Sequence, residues 1–107
     1  MLYLKLTPEE VKAKFERKEK FRLIDVREKS ELEICSIEFA EHYPMDDIIN
    51  RLHEFEEDEE IIFMCHHGVR SGNVAFLFAS RGFTKISNMS GGIHRWSDSV
   101  DSDMKKY

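Results

Sequence analysis

The chain has 107 residues, 41% of them hydrophobic and 35% charged, which suits one soluble globular domain with a modest core rather than a disordered segment. Its formal net charge is -5 with no basic block, which argues against gripping nucleic acid or an anionic membrane. No apolar run approaches the ~20 residues of a membrane span, and the opening MLYLKLTPEE lacks the apolar centre of a signal peptide, so a cytoplasmic protein is expected.

Residues 3–6 alternate and predict a short edge strand. Thr7-Pro8-Glu9-Glu10 supplies an N-cap, a proline at the first helical position and a glutamate three residues after the cap. A helix through about Lys18 is expected, with Val11 and Phe15 on its buried stripe. Residues 21–26 read as the next strand and 27–31 as a loop or helical turn. Residues 34–37 and 39–43 are apolar but irregular, and Pro44 closes them.

The spacing of Ile48, Ile49, Leu52 and Phe55 predicts a helix over 45–55. The acidic run 56–60 reads as a solvated loop. Residues 61–64, Ile-Ile-Phe-Met, form a short apolar run of strand type. Ser71 opens a second apolar run, long enough for a helix, that is apolar nearly all round at 74–79 and so should be largely covered. Gly82 reads as its C-cap, 83–89 as the last strand, Gly91-Gly92 as a tight turn and 93–96 as a short helix. The polar tail from Ser97 is expected to fray. Strands alternating with helical stretches imply an α/β fold, a mainly parallel sheet with helices on both faces.

The stretch from 61 to 80 carries the chemistry. Cys65 ends a buried strand, a short loop follows, and then a helix begins. Free amides of a helix's first turn and a curled loop hold negative charge, so a thiolate placed there is stabilised relative to its thiol. In α/β sheets ligands also sit beyond the carboxyl ends of the strands, which is where Cys65 falls. The second cysteine, Cys35, lies between Ile34 and Ile37 and reads as a core residue rather than a resolving thiol. No C-x-x-C pair is present, which argues against a thioredoxin-type redox centre.

Taken together, Asp25-Val26-Arg27, Ile34-Cys35-Ser36-Ile37, Pro44, Cys65-His66-His67-Gly68-Val69-Arg70-Ser71 and Gly91-Gly92-Ile93-His94-Arg95-Trp96 resemble a single-domain rhodanese of the sulfurtransferase family. The resemblance runs from Leu6 to Trp96 and implies a three-layer α/β/α rhodanese-like domain over 1–107. Its core would span about 4–98, with five strands, and 99–107 would be the polar tail. One departure stands at Phe39, where the family commonly has a glycine before the third strand.

The resemblance implies that Cys65 attacks the outer sulfur of a donor such as thiosulfate, releases sulfite and holds a persulfide that a second nucleophile removes. N–H groups of His66, His67, Gly68, Val69, Arg70 and Ser71 would steady the anionic sulfur, and the Arg70 guanidinium would hold the donor. The implied partners are a small anionic sulfur donor and a thiol or protein acceptor, with no cofactor.

Asp25 and Arg27 read as structural supports that pair with neighbouring loops. Adjacent His66 and His67 argue against zinc, because neighbours in sequence rarely converge on one metal. Trp96 reads as a packing anchor, while His42, His53 and His94 have no evident partner. Two other functions compete with sulfur transfer. A cysteine phosphatase or arsenate reductase places five residues between its cysteine and arginine, whereas four intervene here. The other is a persulfide carrier or partner-binding domain with little thiosulfate turnover; inactive relatives typically lose the cysteine, whereas this chain keeps Cys65 and Arg70.

Overall fold

The computed structural model describes residues 2–107. Five strands, β1 (Leu4–Leu6), β2 (Arg22–Asp25), β3 (Glu41–His42), β4 (Glu60–Met64) and β5 (Lys85–Met89), form one sheet in the order β1-β5-β4-β2-β3. Every pairing is parallel, with Ile24 opposite Phe63 and Phe63 opposite Asn88 at the centre. Parallel pairing needs crossovers. They are made by helices α1 (Pro8–Glu16), α2 (Lys29–Leu32), α3 (Met45–Ile48) and α4 (Val69–Ser80), and α5 (Gly92–Ser99) follows the last strand.

The two-residue period of β4 builds the layers. Ile61, Phe63 and Cys65 face one way and join Ile48, Phe55, Val74, Ala75 and Phe78. Ile62 and Met64 face the other way, toward Val11, Ile93 and Trp96 of α1 and α5. Ile61, Ile62, Phe63 and Met64 are all buried, so this strand is covered on both faces and reads as an unbroken apolar run. Each such side chain contributes roughly 1.5–3 kcal/mol on burial.

The α1 capping box forms as the sequence predicts, with Thr7 Oγ1 accepting from Glu10 N and Glu10 Oε1 accepting from Thr7 N. The helix nevertheless stops at Glu16. Lys18 takes a left-handed φ of 59° and the Glu19 amide donates back to the Lys14 carbonyl. Phe15, expected in the core, is half exposed and stacks flat on Phe39 at 3.9 Å between ring centroids. Phe39 in turn meets Phe21 and Trp96 edge-on. A residue that departs from the family pattern is thus the hub of an aromatic cluster, and Trp96 is an anchor in it.

Three further expectations are corrected. The 45–55 segment is not one helix: α3 ends at Ile48 and a 3-10 turn occupies Leu52–Glu54. Between them Asn50 and Arg51 donate to carbonyls three residues back, and Arg51 leaves helical geometry to pair with Glu54 and lie over the Tyr43 ring. The second apolar run is not covered all round, because Phe76 faces solvent while Val74, Ala75 and Phe78 are buried. The tail does not fray: α5 runs on to Ser99, Val100 and Met104 pack on the second core cluster, and Tyr107 is held by hydrogen bonds. Among the described residues no helix is long and apolar enough to cross a membrane.

Candidate active site

The chain leaves β2 toward one edge of the sheet, to β3, and leaves its neighbour β4 toward the other, to β5. The carboxyl ends of β2 and β4 therefore flank a crevice, the usual ligand position in an open parallel sheet. Asp25 ends β2, and Cys65 directly follows β4.

Helix α4 starts two residues before Ser71, at Val69, with Gly68 as its N-cap. Gly68 has φ 104°, a conformation a side chain rarely adopts, and this turns its amide back toward Cys65. Gly68 N donates to Cys65 Sγ at 3.1 Å and Ser71 N at 3.4 Å. The Ser71 hydroxyl lies 3.3 Å from the same sulfur. Cys65 is 1% exposed, yet its sulfur faces polar N–H and O–H groups rather than hydrocarbon alone. Of the six loop residues expected to turn amides inward, Gly68 and Ser71 do so within hydrogen-bonding distance. The Val69 side chain faces solvent.

Asn88, on β5, fixes this arrangement from below. Its Nδ2 donates to the Gly68 carbonyl at 3.0 Å, and its Oδ1 accepts from the Ser71 hydroxyl at 2.6 Å. One hydroxyl carries one proton, so Ser71 can give it to Asn88 or to the Cys65 sulfur. Sequence reading missed Asn88, since an isolated asparagine in a strand announces nothing until its cross-strand neighbours are known.

Arg70 does not stand free. Its guanidinium makes a two-pronged pair with Glu31 of α2, Nη1 to Oε1 at 2.6 Å and Nη2 to Oε2 at 2.9 Å. Arg70 holds the Glu31 carboxyl down at about 2, and the Tyr107 hydroxyl donates to Glu31 Oε2 at 2.8 Å. Burial pushes the Tyr107 phenol up to about 12. Neither Glu31 nor Tyr107 was singled out in the sequence.

Asp25 and Arg27 form a buried ion pair, Nη2 to Oδ2 at 2.8 Å and Nε to Oδ1 at 3.0 Å. Arg27 also donates to the Cys35 and Glu31 carbonyls and to the Tyr107 hydroxyl. The pair thereby ties β2 to α2, to the segment after it and to the tail. Cys35 is half buried against the second core cluster, with its sulfur 4.0 Å from Arg27 Nη1. His42 Nε2, without an evident partner in the sequence, lies 2.7 Å from the Arg27 carbonyl.

Helix α5 closes the site. Ile93 N donates to the Cys65 carbonyl at 2.9 Å and His94 N to the His66 carbonyl at 3.0 Å. This close approach requires Gly92, because a Cβ there would run into both carbonyls. The His66 ring stacks on Tyr107 at 3.8 Å with a 6° interplanar angle. Burial, and then His67 beside it, holds the His66 imidazole below its ordinary value.

The family model described as the rhodanese-like domain matches residues 7–99. YtwF of Bacillus subtilis (strain 168), provisionally named a sulfurtransferase, is 38% identical over 86 residues, covering 80% of this chain and 82% of that protein. YrkF of the same organism, provisionally named a sulfur carrier protein, is 32% identical over 93 residues. That match takes in 87% of this chain but spans only about half of YrkF, 50%. The crystal structure of a rhodanese-like domain protein from Staphylococcus aureus superposes with a TM-score of 0.82 at 29% identity, covering 97% of this chain and 98% of that one. By its matching segment, its parallel five-stranded sheet and these relatives, the chain belongs to the rhodanese-like domain family.

Proposed function

We propose that the chain is a sulfur carrier and sulfurtransferase that holds a sulfane sulfur as a persulfide on Cys65. The observation that carries this reading is the Cys65 sulfur facing the amides of Gly68 and Ser71, a cradle for an anionic sulfur. In the first half-reaction the thiolate attacks the outer sulfur of the donor. With thiosulfate an S–S bond forms on Cys65, the donor's own S–S bond breaks, and its electron pair leaves with sulfite. In the second, an acceptor thiolate takes the outer sulfur and the Cys65 thiolate returns.

One feature favours carrying over fast turnover on a small free anion. The Arg70 guanidinium that would grip thiosulfate is already engaged by Glu31. A protein persulfide donor and a protein acceptor suit such a site better. The similarity to YrkF and YtwF, named for sulfur carriage and sulfur transfer, supports the same reading.

Intact mass after incubation with thiosulfate or a persulfide donor tests it. The wild-type chain gains one sulfur that a reductant removes, Cys65→Ser gains none while staying folded, and Cys35→Ser keeps most of the gain. Equal loss in both variants would refute the assignment.

A further inference from the structure

The fold brings together three imidazoles, two adjacent in sequence and the third from a later helix. His66 and His67 are neighbours in the loop after β4, and His94 sits in the first turn of α5. Each offers a ring nitrogen, and the three nitrogens lie within 4.8 Å of one another. We propose that His66, His67 and His94 form a binding site for a divalent first-row transition cation of the zinc class.

Adjacent histidines ordinarily diverge, but the turn into Gly68 lays these two rings on the same side. Their centroids are 3.9 Å apart, and His94 stands 5.0 Å from His67. The scaffold is fixed by backbone rather than by side-chain chance. His94 N bonds the His66 carbonyl, and Gly92 permits the contact. A second observation points to a ligand. His66 Nε2 is buried and has no hydrogen-bond partner among the described residues, which is unusual for a ring nitrogen next to polar neighbours.

Imidazole is a preferred ligand of zinc, copper and nickel, and three histidines with a fourth position open to water is an established zinc coordination. At Zn–N distances of about 2.0–2.1 Å, a tetrahedral ion needs nitrogens roughly 3.3 Å apart. The exposed rings of His67 and His94 can close that gap by side-chain rotation. Two further contacts pre-set the rings: Tyr107 stacks on His66, and an Asp98 oxygen lies 3.7 Å from His94 Nε2. A carboxylate behind a ligating histidine orients the ring and strengthens it as a ligand. The site uses no sulfur, so it stands or falls independently of the persulfide reading.

Calorimetric titration of the full chain with Zn²⁺, alongside visible spectra with Co²⁺, tests the proposal. One ion binds per chain, and Co²⁺ gives the intense bands of a four-coordinate site. His67→Ala and His94→Ala each weaken binding by roughly tenfold or more. Both side chains are exposed, so the substitutions leave the core intact. Cys65→Ser and His53→Ala bind as the wild type does. Wild-type affinity no tighter than that of His94→Ala would overturn the site. So would binding that disappears in Cys65→Ser, which assigns the ion to the thiolate, or an equal loss in His53→Ala, which assigns it to scattered surface imidazoles.

Discussion

Around the Cys65 sulfur the decisive quantity is how many donors favour charge over its absence. Two amides come from the backbone and survive substitution, whereas the Ser71 hydroxyl is the one side-chain donor beside them among the described residues. When Cys65 is a thiol, Ser71 can keep its proton on Asn88. When the sulfur is anionic, the better use of that proton is toward sulfur. A hydrogen bond to a charged group is worth about 1.5–3 kcal/mol. Ser71→Ala is therefore expected to slow alkylation of Cys65 by iodoacetamide at neutral pH by about tenfold, since 1.36 kcal/mol is one decade. A rate equal to wild type would show that the backbone amides alone set reactivity. The cysteine, its glycine and the following helix were legible from residue order, because loop chemistry is local. Asn88, Glu31, Tyr107 and His94 were not, because each acts across strands or crossovers whose order the sequence does not state.

At the scale of elements the short helix α2 does more than its four residues suggest. Glu31 accepts from the Glu28 amide at its start, and it also receives Arg70 from α4 and Tyr107 from the tail. The sequence supports no more than a loop or helical turn over residues 27–31, since so short a helix has no readable period. Its stability comes from tertiary pairing instead. The pairing also fixes a pH window. The Glu31 carboxyl falls from 4.5 to about 2 in the folded chain, first because of Arg70, so its contribution is full above 4.5. That contribution is lost as pH falls through to about 2, because the folded state must then take up a proton it resists. Solvent around Arg70 discounts the effect to about 1 kcal/mol. Denaturant titrations at pH 5 and pH 2.5 should show the wild type losing more stability than Glu31→Gln. Parallel losses in the two proteins would mean the ion pair contributes nothing measurable.

Across the whole molecule, one buried strand separates two packed faces, and the crevice at its carboxyl end collects residues from α2, α4, β5, α5 and the tail. The α/β class was legible because an apolar run between helical stretches is a global pattern, and the strand order followed from structure alone. The tail departs from its composition for the opposite reason. Polar composition predicts fraying, but Tyr107 finds three partners already built by other elements. Arg27 donates to its hydroxyl at 2.9 Å, the hydroxyl donates to Glu31, and the ring covers His66. These contacts join residues 76 and 80 positions apart, so the tail closes the domain around its site. The phenol is pushed up to about 12 from 10.0, chiefly by burial, so between these values the folded chain keeps a proton that the unfolded chain has lost. Stability must then fall as pH rises through this window, because the unfolded state binds fewer protons there. Tyr107→Phe keeps the ring and removes the titration. Its stability should decline less than that of the wild type between pH 10 and pH 12, as read by denaturant midpoints. An identical decline in the two proteins would place the tail in solvent and detach it from the site.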